Sequence, residues 1–133
     1  MNHLGSDTLL LTNSFSGLKK DILSLAASFD SIYMFGVDCS LNGTLRIEKC
    51  AELYGMTASS NYDVAQLSKI MDSYAIVNSV SNVPTQYLCN AAYYHMLCIN
   101  KNAVFIHIPS EKGMNDALME RLLKLFRELS RDA

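Results

Sequence analysis

A cysteine and a histidine are the residues in this chain whose types and placement suit covalent chemistry. Cys89 sits within "SNVPTQYLCNAAYYHML" (Ser81 to Leu97), where an extended segment gives way to a stretch with the length and Ala content of a helix. That places the thiol in the first turn of a helix, where free N–H groups and the partial positive charge of the helix end favour thiolate, the nucleophilic form. His107 lies in "VFIHIP", near the carboxyl end of an apolar strand that Pro109 closes. In open α/β sheets that edge is where sites are built, and an imidazole there can reach a neighbouring loop. The two together are a candidate pair for covalent chemistry with the thiolate as nucleophile. Each also has a purely structural reading, because cysteine is among the most buried residue types and a single strand histidine often sits satisfied in a core. The spacing of the two leaves both readings open.

The elements that must position them alternate between short apolar runs and amphipathic ones. This pattern predicts an α/β fold, a three-layer α/β/α sandwich with a mostly parallel, mixed central sheet, in a single domain over residues 1–133. "TLLLT" (Thr8 to Thr12) reads as a first strand. "SFSGLKKDILSLAASF" places Leu18, Ile22, Leu25 and Phe29 at helical spacing behind a Ser-rich start. "SIYMFGV" (Ser31 to Val37) predicts a second strand, "GTLRIEKCAEL" (Gly43 to Leu53) one extended segment with period-two alternation, and "NYDVAQLSKIMDSY" a helix capped by Asn61. "AIVNSVS" reads as a short strand and "QYLCNAAYYHML" as the helix carrying Cys89. "NAVFIHIPS" follows as a strand, and "MNDALMERLLKLFRELSRD" is a strongly amphipathic terminal helix with Leu118, Leu122, Leu125 and Leu129 along one stripe. That stripe predicts packing on the sheet, with a homo-oligomer contact as the alternative. Cys39, Cys50 and Cys98 are assigned to packing, Met34, Met71, Met96, Met114 and Met119 to core filling, and Asn90 to a cap or turn.

Composition narrows the partners. Charged residues make up 18% of the chain and the net charge is -2, so no basic face is present to hold nucleic acid. The four cysteines form no CxxC pair and have no clustered histidines, which predicts reduced thiols, no metal and no cofactor. No apolar run approaches the roughly 20 residues that cross a bilayer, so the expectation is a soluble, cytoplasmic protein with no membrane partner.

Three stretches in order carry a resemblance to a known family. "SNVPTQYLCNAAYY" resembles the nucleophile segment of the pyroglutamyl peptidase I (pyrrolidone carboxyl peptidase) cysteine peptidases, where a Ser-Asn pair, a short turn, an aromatic residue and Cys-Asn precede an aromatic-bearing helix. "VFIHIP" is similar to the family's strand with its catalytic His before a Pro. "LRIEKCA" is similar to the segment carrying its catalytic Glu, and "LLLTNSF" to a strand and the aromatic loop after it. The resemblance implies a Cys-His-Glu triad: Cys89 as nucleophile, His107 as general base and then acid, and Glu48 as the carboxylate that orients the imidazole. The backbone N–H of Cys89 would serve as one oxyanion donor. The implied substrate is a small peptide or amide with an N-terminal pyroglutamyl group, its ring held in an apolar pocket to which Phe15 and Tyr87 are the candidate contributors.

The sequence departs from that pattern beside the thiol and around the ring pocket. Pro84-Thr85 stands where the family has Ala-Gly, which makes the turn before Cys89 stiffer. "AELYGMTASSNYD" passes toward the next helix without the arginine that the family places near its oxyanion site. Phe15 is the sole aromatic residue of its loop. Apart from the resemblance, Glu48 reads as a solvated charge beside Arg46 and Lys49 in an alternating strand. A relative that keeps the scaffold and binds a small molecule or a protein without turnover is the alternative function.

Overall fold

The structure, a computed structural model, describes residues 30–85 and 88–131. The strand and helix expected between Thr8 and Phe29, together with Phe15 and Tyr87, lie outside the described residues.

Among the described residues six strands and three helices follow in order: β1 (Ile32–Val37), β2 (Leu45–Glu48), β3 (Cys50–Leu53), β4 (Met56–Ser59), α1 (Val64–Ser73), β5 (Asn78–Ser81), α2 (Leu88–Ile99), β6 (Ala103–Ile108) and α3 (Asp116–Arg131). A four-stranded sheet runs β1-β6-β2-β5, while β3 and β4 form a separate antiparallel hairpin. β1 pairs parallel with β6 and β2 parallel with β5, and the central β2–β6 pair is antiparallel. The sheet is therefore mostly parallel and mixed, and helices cover it, as the alternation of apolar and amphipathic runs predicts.

Period-two alternation in the two central strands sorts their side chains between two cores. Leu45 and Ile47 of β2 and Val104 and Ile106 of β6 pack with Val64, Leu67 and Met71 of α1 and with Leu118, Leu122, Leu125 and Leu129 of α3. On the opposite face Ala103 and Phe105 of β6 and Met34 of β1 pack against Ala92, Tyr93, Met96 and Leu97 of α2 and against Ala51 and Ala58 of the hairpin. The leucine stripe of α3 is buried as expected, its four residues between 0% and 6% exposed.

Several local expectations are corrected. "GTLRIEKCAEL" is two strands, because at Lys49 the chain leaves the main sheet, donating its N–H to Ser81 O, and turns into the hairpin. The hairpin is closed by Tyr54 (φ 52°) and Gly55 (φ 77°), both left-handed, the geometry of a tight two-residue turn whose twist suits flanking strands. β4 is the element that pattern reading passes over. The cap of α1 is Asp63, whose carboxylate accepts from Gln66 N–H at 3.0 Å, while Asn61 donates its own N–H to Lys101 O. Cys39 and Cys98 are exposed rather than packed, and Met119 is 43% exposed rather than core.

Candidate active site

The same alternation that builds the leucine core turns Arg46, Glu48 and His107 toward the other face of the sheet. β2 and β6 are antiparallel neighbours in which Arg46 pairs with His107 and Glu48 with Phe105, so carboxylate, guanidinium and imidazole meet on adjacent strands. His107 Nδ1 lies 3.0 Å from Glu48 Oε1, in a pair where the side chains are 7% and 5% exposed. With Nδ1–H donating to the carboxylate, the ring's remaining nitrogen, Nε2, is free for the sulfur. A side-chain hydrogen bond joins His107 to Cys89. The three residues named by the resemblance are thus brought together in the order Glu48, His107, Cys89.

Cys89 is held there from three sides. It occupies the second position of α2, in the turn whose N–H groups lack intrahelical acceptors. The next residue, Asn90, is neither a cap nor a turn residue. Its Oδ1 accepts from Glu52 N–H at 2.9 Å and its Nδ2 donates to Glu52 O, so it mimics a strand partner and ties the start of α2 to β3. One turn further on, Tyr93 donates its hydroxyl proton to Glu48 O at 2.7 Å, anchoring the helix over the end of β2. Below the sulfur lies Gly36 of β1, in register with His107. A Cβ at Gly36 would stand 2.7 Å from Cys89 Sγ and 2.7 Å from Phe105 Cζ, so glycine is needed for the close approach of strand and thiol.

Charge is concentrated behind the imidazole. Glu48 Oε1 also accepts from Arg46 Nε at 2.6 Å, and Arg46 Nη2 reaches Asp38 Oδ2 at 2.7 Å. Asp38, just past the end of β1, accepts in turn from the Ser40 N–H at 2.9 Å and the Ser40 hydroxyl at 2.6 Å. Those Ser40 hydrogen bonds, together with Arg46, hold the Asp38 carboxyl well below its ordinary value. Burial pushes the Glu48 carboxyl up, but hydrogen bonds from His107 and Arg46 outweigh it and keep the group ionised. Burial likewise opposes charge on His107. The hydrogen bonds to Cys89 and Glu48 and the negative charge of Glu48 prevail, and its value is pushed up to about 9.

Glu48, His107 and Cys89 line one narrow crevice, too tight for a water-sized body, together with Cys50, Thr85, Asn90 and Phe105. Cys50 is buried, donates to Asn82 O at 3.1 Å, and has its thiol pushed up by burial and by Glu48. Among the described residues no group of three or more His, Cys, Asp or Glu side chains is placed to hold a metal ion, and no helix is long and apolar enough to cross a membrane. Arg46, Asp38, Gly36 and Asn90 are the site residues that sequence reading missed. Arg46 was legible as a strand neighbour of Glu48, whereas the other three are drawn in by tertiary contacts.

No family model and no curated protein matches the sequence. Solved structures do. A mutant pyrrolidone carboxyl peptidase from the hyperthermophile Pyrococcus furiosus superposes with a TM-score of 0.67 at 18% identity, over 89% of this chain and 76% of that one. A second mutant of the same enzyme gives 0.67 at 16% identity over 89% and 74%, and the pyrrolidone carboxyl peptidase from Thermococcus litoralis gives 0.66 at 14% identity over 95% and 82%. At these identities the likeness is one of fold: this chain has the α/β fold of the pyrrolidone carboxyl peptidases.

Proposed function

We propose that the chain is a cysteine hydrolase that cleaves a small amide, an N-terminal pyroglutamyl amide or one of similar size, through a thioester. The observation that carries this reading is the hydrogen-bonded series Glu48, His107, Cys89 at the start of a helix, on a fold shared with pyrrolidone carboxyl peptidases. In this mechanism Cys89 Sγ gives up its proton to His107 Nε2 and attacks the amide carbon. The backbone N–H of Cys89 donates to the carbonyl oxygen as it gains negative charge. The C–N bond then breaks as His107 passes its proton to the departing amine. Water attacks the thioester, its proton going to His107, and the C–S bond breaks to release the acid and restore the thiol. Glu48 keeps the ring in the tautomer whose Nε2 faces sulfur and offsets the positive charge the ring carries.

Selective alkylation of Cys89 by iodoacetamide near neutral pH, with Cys39 and Cys98 labelled no faster than free thiols, is the first expected result. Hydrolysis of a pyroglutamyl fluorogenic amide should vanish in Cys89→Ser and in His107→Ala. Slow labelling of Cys89, comparable to an ordinary exposed thiol across the pH range, would overturn the assignment. The tight crevice favours a second reading, a scaffold that binds a ligand without turning it over. Rapid labelling combined with no hydrolysis of any small amide would select that reading.

A further inference from the structure

We propose that Arg46, braced by Asp38, is a positioning residue that fixes which oxygen of Glu48 serves His107 and balances the charge of the pair. This inference rests on the hydrolase reading for its activity readout and on geometry alone for the rest. A guanidinium facing a carboxylate ordinarily engages both oxygens in a two-pronged fork. Here it does not. Arg46 gives Nε to Oε1 at 2.6 Å and turns Nη2 away to Asp38 at 2.7 Å, while Glu48 Oε2 is buried with no hydrogen-bond partner among the described residues. Two charged donors, Arg46 Nε–H and His107 Nδ1–H, therefore converge on one oxygen, and the idle oxygen is left in the interior. Leaving a buried carboxylate oxygen unpaired is costly, so the monodentate arrangement persists only because Asp38, itself fixed by two hydrogen bonds from Ser40, holds the other end of the guanidinium. Without Arg46 the carboxylate could rotate and offer His107 either oxygen, so the ring would keep an acceptor but not a defined orientation.

The same geometry sets the charge balance. Arg46 Nη2 stands 3.4 Å from His107 Nδ1, two donors in near contact, which works against a second positive charge on the ring. Asp38 neutralises that guanidinium from behind. The ionisable groups facing His107 are Arg46 and Glu48 from β2, Cys50 from β3, and Cys89 and Tyr93 from α2, with Asp38 at the end of β1 acting through Arg46. Removing the cation should therefore strengthen the ring's hold on its proton, and removing Asp38 should weaken it. A merely structural role for the network cannot produce shifts of opposite sign.

The test compares Arg46→Met, Arg46→Lys and Asp38→Ala with the parent chain, reading the pH titration of the His107 ring by NMR and the pH profile of Cys89 alkylation by iodoacetamide. Arg46→Met should move the His107 titration upward and Asp38→Ala downward, each by roughly half to one pH unit, and the double variant should follow Arg46→Met. Cys89 alkylation in Arg46→Met should fall about 10-fold, the size of one lost hydrogen bond to a charged group. Arg46→Lys keeps the charge but cannot reach Glu48 and Asp38 together, so it should restore the titration and leave the rate low. Shifts in the same direction for Arg46→Met and Asp38→Ala, or none in either, would overturn the proposal. The ring titration reads this result even if no amide is turned over, so failure of the hydrolase reading and failure of this one are separate outcomes. Circular dichroism on each variant identifies any that has lost its fold, and Arg46→Lys then carries the comparison of charge against geometry.

Discussion

The two faces of β2 and β6 are made by neighbouring residues of the same strands and are built on opposite rules. On one face Leu45, Ile47, Val104 and Ile106 are each fully buried among leucines, Val64 and Met71, with the rings of Tyr33, Tyr62 and Tyr74 packed at the margin. On the other, offset by a single residue, Arg46, Glu48 and His107 share space with Phe105, Ala103 and the small residues of α2 and the hairpin. The first face gains its free energy from removing apolar area from water, which is non-directional and tolerant of small shifts. The second depends on donors and acceptors at fixed positions, where a displacement of an ångström costs function before it costs the fold. Rigidity made on the leucine face is what allows the other face to keep buried charges in register.

The strongest way to break this division is to cut into the leucine face alone. Ile47→Ala removes a fully buried side chain between Arg46 and Glu48 and should cost about 2–5 kcal/mol of stability in urea denaturation. Leu125→Ala, equally buried but on α3, should lose a similar amount. If the two faces are separable, the pH profile of Cys89 alkylation in folded Leu125→Ala stays where it was. Ile47→Ala, whose backbone carries the site residues on either side, should blunt that profile as well.

Smaller and opposite in kind are changes on the site face. Gly36→Ala adds one methyl group against Cys89 Sγ and Phe105. It should cost about 1–3 kcal/mol by overpacking and reduce Cys89 alkylation more than any leucine-face variant does, because the sulfur or the ring must move. Asn90→Ala leaves the N–H and carbonyl of Glu52 without their side-chain partners and should cost about 1–2 kcal/mol. Loss of stability in Asn90→Ala without any change at Cys89 would show that the clamp is not what seats the thiol.

Much of this was legible in the residues. The alternation in "LRIE" and "VFIHI" gives strands with one apolar face and one chemical face, and the Ala-rich run after Cys89 gives the helix whose first turn holds the thiol. What sequence could not supply was which strands lie side by side. The antiparallel pairing of β2 with β6, which sets Arg46 opposite His107, depends on how two segments some sixty residues apart pack between common helices. The hairpin escaped for a local reason. Its strands are four residues each and its turn is Tyr-Gly, a weaker signal than Asn-Gly, so the Lys49 break was hidden inside one continuous alternation. Asn90 pairs with a backbone rather than a side chain, which no spacing rule encodes.

The subtlest consequence of the contrast is a dependence of stability on pH that only the site face can produce. His107 has its proton held up to about 9 in the folded chain, above the ordinary imidazole value, by Cys89 and Glu48. A group raised on folding stabilises fully below its unfolded value near 6.5 and loses that contribution as pH climbs through the folded value. Glu48 acts at the other end: held down by its donors, it stabilises above the ordinary carboxylate value and stops doing so as pH falls through its lowered one. Stability should therefore be flat between about pH 5 and 6 and decline between about pH 6.5 and 9 by roughly 1–2 kcal/mol. This is less than the full shift would give, since the guanidinium 3.4 Å from Nδ1 opposes charge on the ring. Urea midpoints taken across that range should show the decline in the parent chain and its loss in His107→Gln, which cannot titrate. Leu125→Ala, less stable throughout, should keep the same slope; a slope that flattened with it would mean that the leucine face and the charged face unfold as one electrostatic unit.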